Sequence, residues 1–147
     1  MITIRNFTDS DYQVLCELDA PMFSGMGGPI LFRHIQELFG ELFFVAEFEG
    51  KIIGYVLGGV HLEDAKKGKL IRIGVSHGYQ RKECGTKLTE ALFAQMKKRG
   101  VKSVHVTVSE ENLPALSFYT KIGFTKTEER ENYFYPDIPR LVLEKVL

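Results

Sequence analysis

The run Ile71-Arg72-Ile73-Gly74-Val75, the polar segment 76–85 and the helical pattern from Thr86 onward hold the residues whose spacing suits chemistry. A strand, a short turn and a helix N-terminus gather unpaired backbone N–H groups, and with the helix dipole they form an anion site suited to phosphate. Glycine in such a turn serves tight packing equally well. Cys84 stands at the helix start, where a thiol can become a nucleophile through a lowered pKa, or can simply pack. Between residues 80 and 102, Arg81, Lys82, Lys87, Lys97, Lys98, Arg99 and Lys102 face only Glu83 and Glu90, a balance suited to a small polyanion. Lys97, Lys98 and Arg99 also fall in a last helical turn, where the macrodipole favours cations whatever the function.

The elements that position this segment follow from periodicity. Residues 1–5 alternate as a strand, and Thr8, Asp9, Ser10 and Asp11 offer N-caps before Val14, Leu15 and Leu18 at helical spacing. Residues 21–29 form a Gly/Pro-rich loop, and a second helix carrying Leu31, Phe32, Ile35, Leu38 and Phe39 stops at Gly40. Residues 42–48, the turn Glu49-Gly50 and residues 52–60 read as a hairpin, with a further strand at 70–75. A helix over 86–99 presents Leu88, Ala91, Leu92 and Met96 on one face, and 101–108 is a strand of alternating valines. A short helix over 114–122 precedes Gly123, and 125–133 and 140–146 are the last strands. The order β-α-α-β-β-β-α-β-α-β-β predicts an α/β protein with helices on both sides of one mixed sheet.

Composition bounds the rest. A chain of 147 residues fits one domain, and 44% hydrophobic with 26% charged residues is ordinary globular usage. The 19 basic and 19 acidic residues cancel, which argues against nucleic-acid binding. The longest apolar stretch, 52–60, falls short of the roughly 20 residues that cross a bilayer, and residues 1–7 lack a signal pattern, so a cytoplasmic protein without membrane partners is expected. Cys16 and Cys84 build no disulfide framework, and His34, His61, His77 and His105 show no metal-ligand spacing, so no metal is expected. Residues 1–65 carry 10 acidic against 3 basic side chains, which leans toward a cationic amine as partner.

The run Tyr79-Gln80-Arg81-Lys82-Glu83-Cys84-Gly85-Thr86-Lys87-Leu88 resembles the acetyl-coenzyme A loop of the GCN5-related N-acetyltransferases (GNAT), whose pattern is Gln or Arg, two residues, Gly, one residue, then Gly or Ala. Asn112, Ala115, Phe118-Tyr119 and Gly123-Phe124 are similar to that family's other signature. The resemblance covers nearly the whole chain. It implies a single N-acetyltransferase domain over 1–147, with a mixed, mostly antiparallel sheet of six to seven strands and about four helices. It also implies acetyl-CoA as co-substrate and direct transfer of the acetyl group to a primary amine of a small molecule, such as a polyamine, or of a peptide.

The resemblance assigns roles by position. Backbone amides of Gln80, Glu83, Cys84, Gly85 and Thr86 would cradle the pyrophosphate, with Arg81 and Lys82 adding charge. Ile73 and Val75 would pair through their backbones with the pantetheine arm, and the Val75 N–H would face the thioester oxygen. Asn112 would hold cofactor amides, or only cap the following helix, and Phe118 belongs to the same binding motif. Tyr119 would protonate the departing thiolate; its alternative is a core tyrosine.

Two departures matter. Glu83 occupies the position of the first loop glycine, placing a β-carbon where positive φ is expected and a carboxylate near a pyrophosphate. Thr107 stands where N-terminal acetyltransferases of the family carry a base, so His105, two residues earlier on the same strand face, and Glu63 are the candidates. The acceptor is expected between the first two helices and the loop joining the last strands. Tyr133-Phe134-Tyr135-Pro136-Asp137 is similar to the tyrosine-bearing loop of N-terminal acetyltransferases, although Tyr133 and Tyr135 also suit cross-strand packing. A homodimer through terminal strands would suit the family. The alternatives are a coenzyme A-binding module with little or no turnover, favoured by Glu83 and Thr107, and a protein N-terminal acetyltransferase.

Overall fold

Runs of β-branched and aromatic residues broken by Gly, Asn and Asp turns form the strands, and 3.6-residue apolar periodicity forms the helices. The computed structural model describes residues 1–80 and 83–147. In chain order it contains β1 (Ile2–Asn6), α1 (Tyr12–Met22), α2 (Gly28–Phe39), β2 (Phe43–Phe48), β3 (Lys51–Val60), β4 (Lys67–Val75), α3 (Cys84–Lys98), β5 (Ser103–Val108), α4 (Leu113–Lys121), β6 (Thr125–Arg130) and β7 (Arg140–Val146). The sheet runs β1-β2-β3-β4-β5-β7-β6. The β4/β5 ladder is parallel, whereas β1/β2, β2/β3, β5/β7 and β6/β7 are antiparallel. This is the element order and mixed sheet that the sequence predicts.

Several boundaries differ. The expected loop 21–29 shrinks to residues 23–27, because Pro21 is absorbed into the last turn of α1 and Pro29 into the first turn of α2. β4 begins at Lys67 rather than Leu70, since pairing of Lys67, Gly68 and Lys69 with Ser103, Val104 and His105 extends a segment without strand-like composition. β6 ends at Arg130, which leaves Tyr133 and Tyr135 in the following loop rather than in cross-strand pairs.

The chain divides into two compact units, Met1–Gly59 with Leu70–Arg99, and Val60–Lys69 with Gly100–Leu147. In the first, Phe7 stacks on Phe43 at 4.2 Å and Phe32 meets Tyr55 edge-on at 5.2 Å, within a core that includes Leu15, Ile35, Val45 and Leu57. Arg5 ties this unit's edge, gripping both oxygens of Asp11 at 2.8 Å and Glu47 at 2.6 Å. In the second unit, β5 inserts between its partners, with Val104, Val106 and Val108 buried and Ser103, His105 and Thr107 on the opposite face. α4 buries Tyr119, whose ring lies 5.4 Å from Phe124. Among the described residues no helix is long and apolar enough to cross a membrane.

Gly54 shows how tightly β3 is packed: an added β-carbon would stand 2.9 Å from the Gly74 carbonyl and 3.2 Å from the Cys84 sulfur. Backbone cannot give way as a side-chain tip can. Gly54→Ala is expected to cost about 1–3 kcal/mol of stability in urea unfolding, the range for overpacking a dense core.

Candidate active site

In the first unit the candidate site begins where β4 ends. The parallel ladder with β5 covers only Lys67–Lys69, so the backbone edge of Leu70–Val75 lies beyond it. The Val75 carbonyl accepts the side-chain Nε2 of Gln80 at 3.2 Å, and Ser76 N donates to the Ile53 carbonyl at 2.7 Å. Gln80 thus contributes its side chain to the β4 terminus, a role the sequence reading left to its backbone alone. Ile73 and Val75 are half-buried on the same strand.

α3 starts two residues earlier than expected. Glu83 is its N-cap at φ 62°, the left-handed conformation anticipated for the position where the family carries glycine, and it is exposed. Among the described residues the first backbone bond of the helix runs from Lys87 N to Glu83 O, and the N–H groups of Cys84, Gly85 and Thr86 precede it. Thr89 Oγ1 reaches back to the Gly85 and Thr86 carbonyls at 3.0 Å and fixes this turn. The Cys84 thiol is fully buried, and burial pushes it up to about 11, the opposite of an activated nucleophile. Packing, not covalent catalysis, is what Cys84 does. Arg81 and Lys82, expected to add charge here, lie outside the described residues.

Sequence reasoning missed a buried cluster in this unit. Asp19 accepts the Tyr55 hydroxyl and pairs with Arg72 Nη1 at 3.2 Å. Asp19 lies four residues after the core Leu15, a helical spacing that was the available signal.

In the second unit, Tyr119 is buried and packs against Phe118 and Phe124. Burial holds its phenol well above the ordinary range, opposed by Arg140. Arg140 donates from Nη2 to the Thr107 carbonyl at 2.9 Å. Asn112 caps α4, its Oδ1 accepting the Ala115 N–H at 3.2 Å, which is the helix-capping reading of this residue. Glu63 stands exposed in the turn between β3 and β4. The His105 Nε2 instead meets the His61 Nε2 at 2.6 Å, a partner that sequence distance concealed. Burial, then His61, Lys69, Arg130 and Lys67, lower His105 to about 4, so the imidazole is neutral at pH 7. These histidines line a cavity of about 280 Å³ with Lys67, Arg130, Glu128 and Glu144. In the loop after β6, Tyr133 accepts Lys69 Nζ at 2.6 Å, and Arg140 lies 5.1 Å from the Phe134 ring. Among the described residues, no group of three or more His, Cys, Asp or Glu could hold a metal ion.

The model of the acetyltransferase (GNAT) family matches residues 12–124. The chain belongs to the GNAT family. It is 32% identical over 112 residues to an N-alpha-acetyltransferase of Sulfurisphaera tokodaii, a match covering 69% of this chain and 66% of that protein. It is 26% identical over 136 residues to N-alpha-acetyltransferase 30 of Schizosaccharomyces pombe, covering 91% of each. The structure of Ard1 from Thermoplasma volcanium shares the fold with a TM-score of 0.91 at 20% identity, over 99% of this chain and 97% of that one. As a GNAT member the chain is an N-acetyltransferase that uses acetyl-CoA. The donor set fits that co-substrate: consecutive N–H groups at the start of α3 suit a pyrophosphate, and the edge of β4 suits an amide chain.

Two outcomes follow from this GNAT site. Glu83→Gly removes both the strained β-carbon and a carboxylate; acetyl-CoA affinity by calorimetry is expected to rise about fivefold, equivalent to about 1 kcal/mol. Unchanged affinity would make the carboxylate irrelevant. Because His105 is lowered in the folded state, its contribution to stability is complete above its unfolded pKa of about 6.5 and is lost as pH falls toward about 4. Melting temperatures between pH 7.5 and 4.5 should therefore fall more steeply for wild type than for His105→Gln.

Proposed function

We propose that this enzyme is a cytoplasmic N-terminal acetyltransferase that acts on the α-amino group of a peptide or protein, with residues 1–147 as a single N-acetyltransferase domain. The observation that carries the reading is the match to N-alpha-acetyltransferase 30 over 91% of both chains. Two physical features support a peptide over a polyamine. Of the acidic residues in 1–65, Asp9, Asp11, Asp19, Glu41 and Glu47 are each paired with an arginine, so these carboxylates already have partners within the fold. The base candidate is also weak. With His105 lowered to about 4, the acceptor must arrive largely as the free amine. An α-amino group, with pKa about 8, meets that condition far better at neutral pH than an alkyl ammonium near 10.4.

On this reading the thioester lies along Ile73 and Val75, with the Val75 N–H facing its oxygen as negative charge develops there. The amides of Gln80 and of Glu83–Thr86, joined by the charges of Arg81 and Lys82, hold the pyrophosphate, while Asn112 and Phe118 contact the cofactor arm. The amine nitrogen bonds to the acetyl carbon, the carbon–sulfur bond breaks, and Tyr119 gives its proton to the leaving sulfur. The proton released by the amine passes through water to His105 and on to solvent, and Tyr119 regains its proton from solvent, which closes the cycle. Glu63, the other base candidate, stands in an exposed turn.

The deciding experiment is thiol release from acetyl-CoA with free and Nα-blocked peptides, polyamines and aminoglycosides. Free peptides should turn over, and blocked lysine-containing peptides should not. Tyr119→Phe should lower kcat about 100-fold with acetyl-CoA affinity within twofold. Preferred turnover of a polyamine overturns the peptide assignment. Tight acetyl-CoA binding with no turnover of any amine would favour the binding-module alternative.

A further inference from the structure

One guanidinium ties together the segments around the end of α1. Arg72, on β4, pairs with the buried Asp19 of α1, donates from Nη2 to the Met26 carbonyl at 2.8 Å, and lies 4.3 Å from the Phe23 ring centroid. Tyr55 closes the cluster from β3 by donating its hydroxyl to Asp19. Gly28 is part of the same fit, because a β-carbon there would overlap the Asp19 carboxylate. Residues 24–27, by contrast, are exposed and hold little packing of their own. Ser24, Gly25 and Gly27 have φ of 52°, 70° and 74°, a series of left-handed conformations that the local sequence does little to enforce. Backbone bonds from Gly25 N to the Ala20 carbonyl and from Met26 N to the Phe23 carbonyl shape the turn, and Arg72 ties it to β4.

That attachment lies beside the donor edge. Arg72 immediately precedes Ile73, and a β-carbon on Gly74 would meet the Met22 methyl at 2.8 Å, so the end of α1 touches β4 just before Val75. A buried ion pair gives little net stability over a well-packed apolar replacement; here it supplies fixed geometry. We propose that Arg72 is a positioning residue for the acceptor, holding the 23–27 loop against β4 as the wall past which the amine reaches the thioester. The inference rests on the peptide acetyltransferase reading above. It separates two functions on one strand: the backbone of Ile73 and Val75 serves the donor, and the side chain of Arg72 serves the acceptor.

Arg72→Lys is the informative variant, since it keeps a cation for Asp19 but has no second nitrogen for the Met26 carbonyl and no plane to stack on Phe23. Its peptide KM is expected to rise about tenfold, with kcat at saturating peptide and acetyl-CoA affinity each within twofold. Hydrogen exchange should accelerate at amides 24–28 and stay unchanged in α3. Phe23→Ala, which leaves the ion pair intact, should move peptide KM and loop exchange in the same direction. Wild-type peptide KM in Arg72→Lys overturns the proposal, as does an equal loss of acetyl-CoA affinity. The exchange measurement needs no substrate, so unchanged loop exchange marks failure of the latch itself. Absence of peptide turnover in the wild-type enzyme instead marks failure of the peptide reading, and the acceptor role of Arg72 falls with it.

Discussion

The parallel ladder between β4 and β5 stops after Lys69↔His105, and the proposed chemistry depends on what β4 does beyond that point. Backbone N–H and C=O groups that leave a ladder must find other partners. At Val75 the carbonyl is taken by Gln80, which also holds the segment leading toward α3 close to the strand end. The remaining edge suits an extended amide chain, and the start of α3, where the Glu83 side chain makes no cap bond, suits a phosphate at its end. A donor built as an amide arm carrying a pyrophosphate answers both demands, which is why family resemblance and backbone accounting converge.

The legible parts of this arrangement were those written in local sequence. Gly40 ends α2 as expected, and β7 matches its expected limits of Arg140 and Val146. Glu83 was anticipated at positive φ because the loop motif demands a glycine-like backbone there, and φ is 62°. The misread parts depended on distant partners. β4 gained Lys67, Gly68 and Lys69 only through pairing with β5, and β6 gave up Tyr133 to a loop in which Lys69, 64 residues away, holds the hydroxyl. The Asp19–Tyr55 and Asp19–Arg72 contacts span 36 and 53 residues, and His61–His105 spans 44. A charged or imidazole side chain looks the same in sequence whether it is solvated or paired, so composition alone could not distinguish them.

The acidic bias of the N-terminal part shows the same ambiguity. Arg5, Arg33, Arg72 and Arg99 between them engage five carboxylates, and hydrogen bonds to Arg5 keep Asp11 below the usual carboxylate range. Pairs of this kind differ in worth. The exposed Arg33–Asp9 contact adds little, whereas removing one member of Asp19–Arg72 would leave a buried charge uncompensated at a cost of about 3–5 kcal/mol. The charge pattern therefore describes how α1 and α2 are held more than what they bind.

Environment moves Tyr119 and His105 in opposite directions, with the same result for each. Burial raises the phenol and lowers the imidazole, so both are neutral at pH 7. For the proposed transfer, a protonated phenol suits the departing sulfur, whose own acidity removes any need for a strong acid. A neutral imidazole lowered to about 4 is a poor match for an alkyl ammonium, but it can accept a proton once the nitrogen has bonded to the acetyl carbon and become far more acidic. Selectivity among amines then begins with the fraction of each that is uncharged in solution. On the proposed acceptor role of Arg72, it continues at the 23–27 loop, where shape can act on a nucleophile that carries no charge to be recognised.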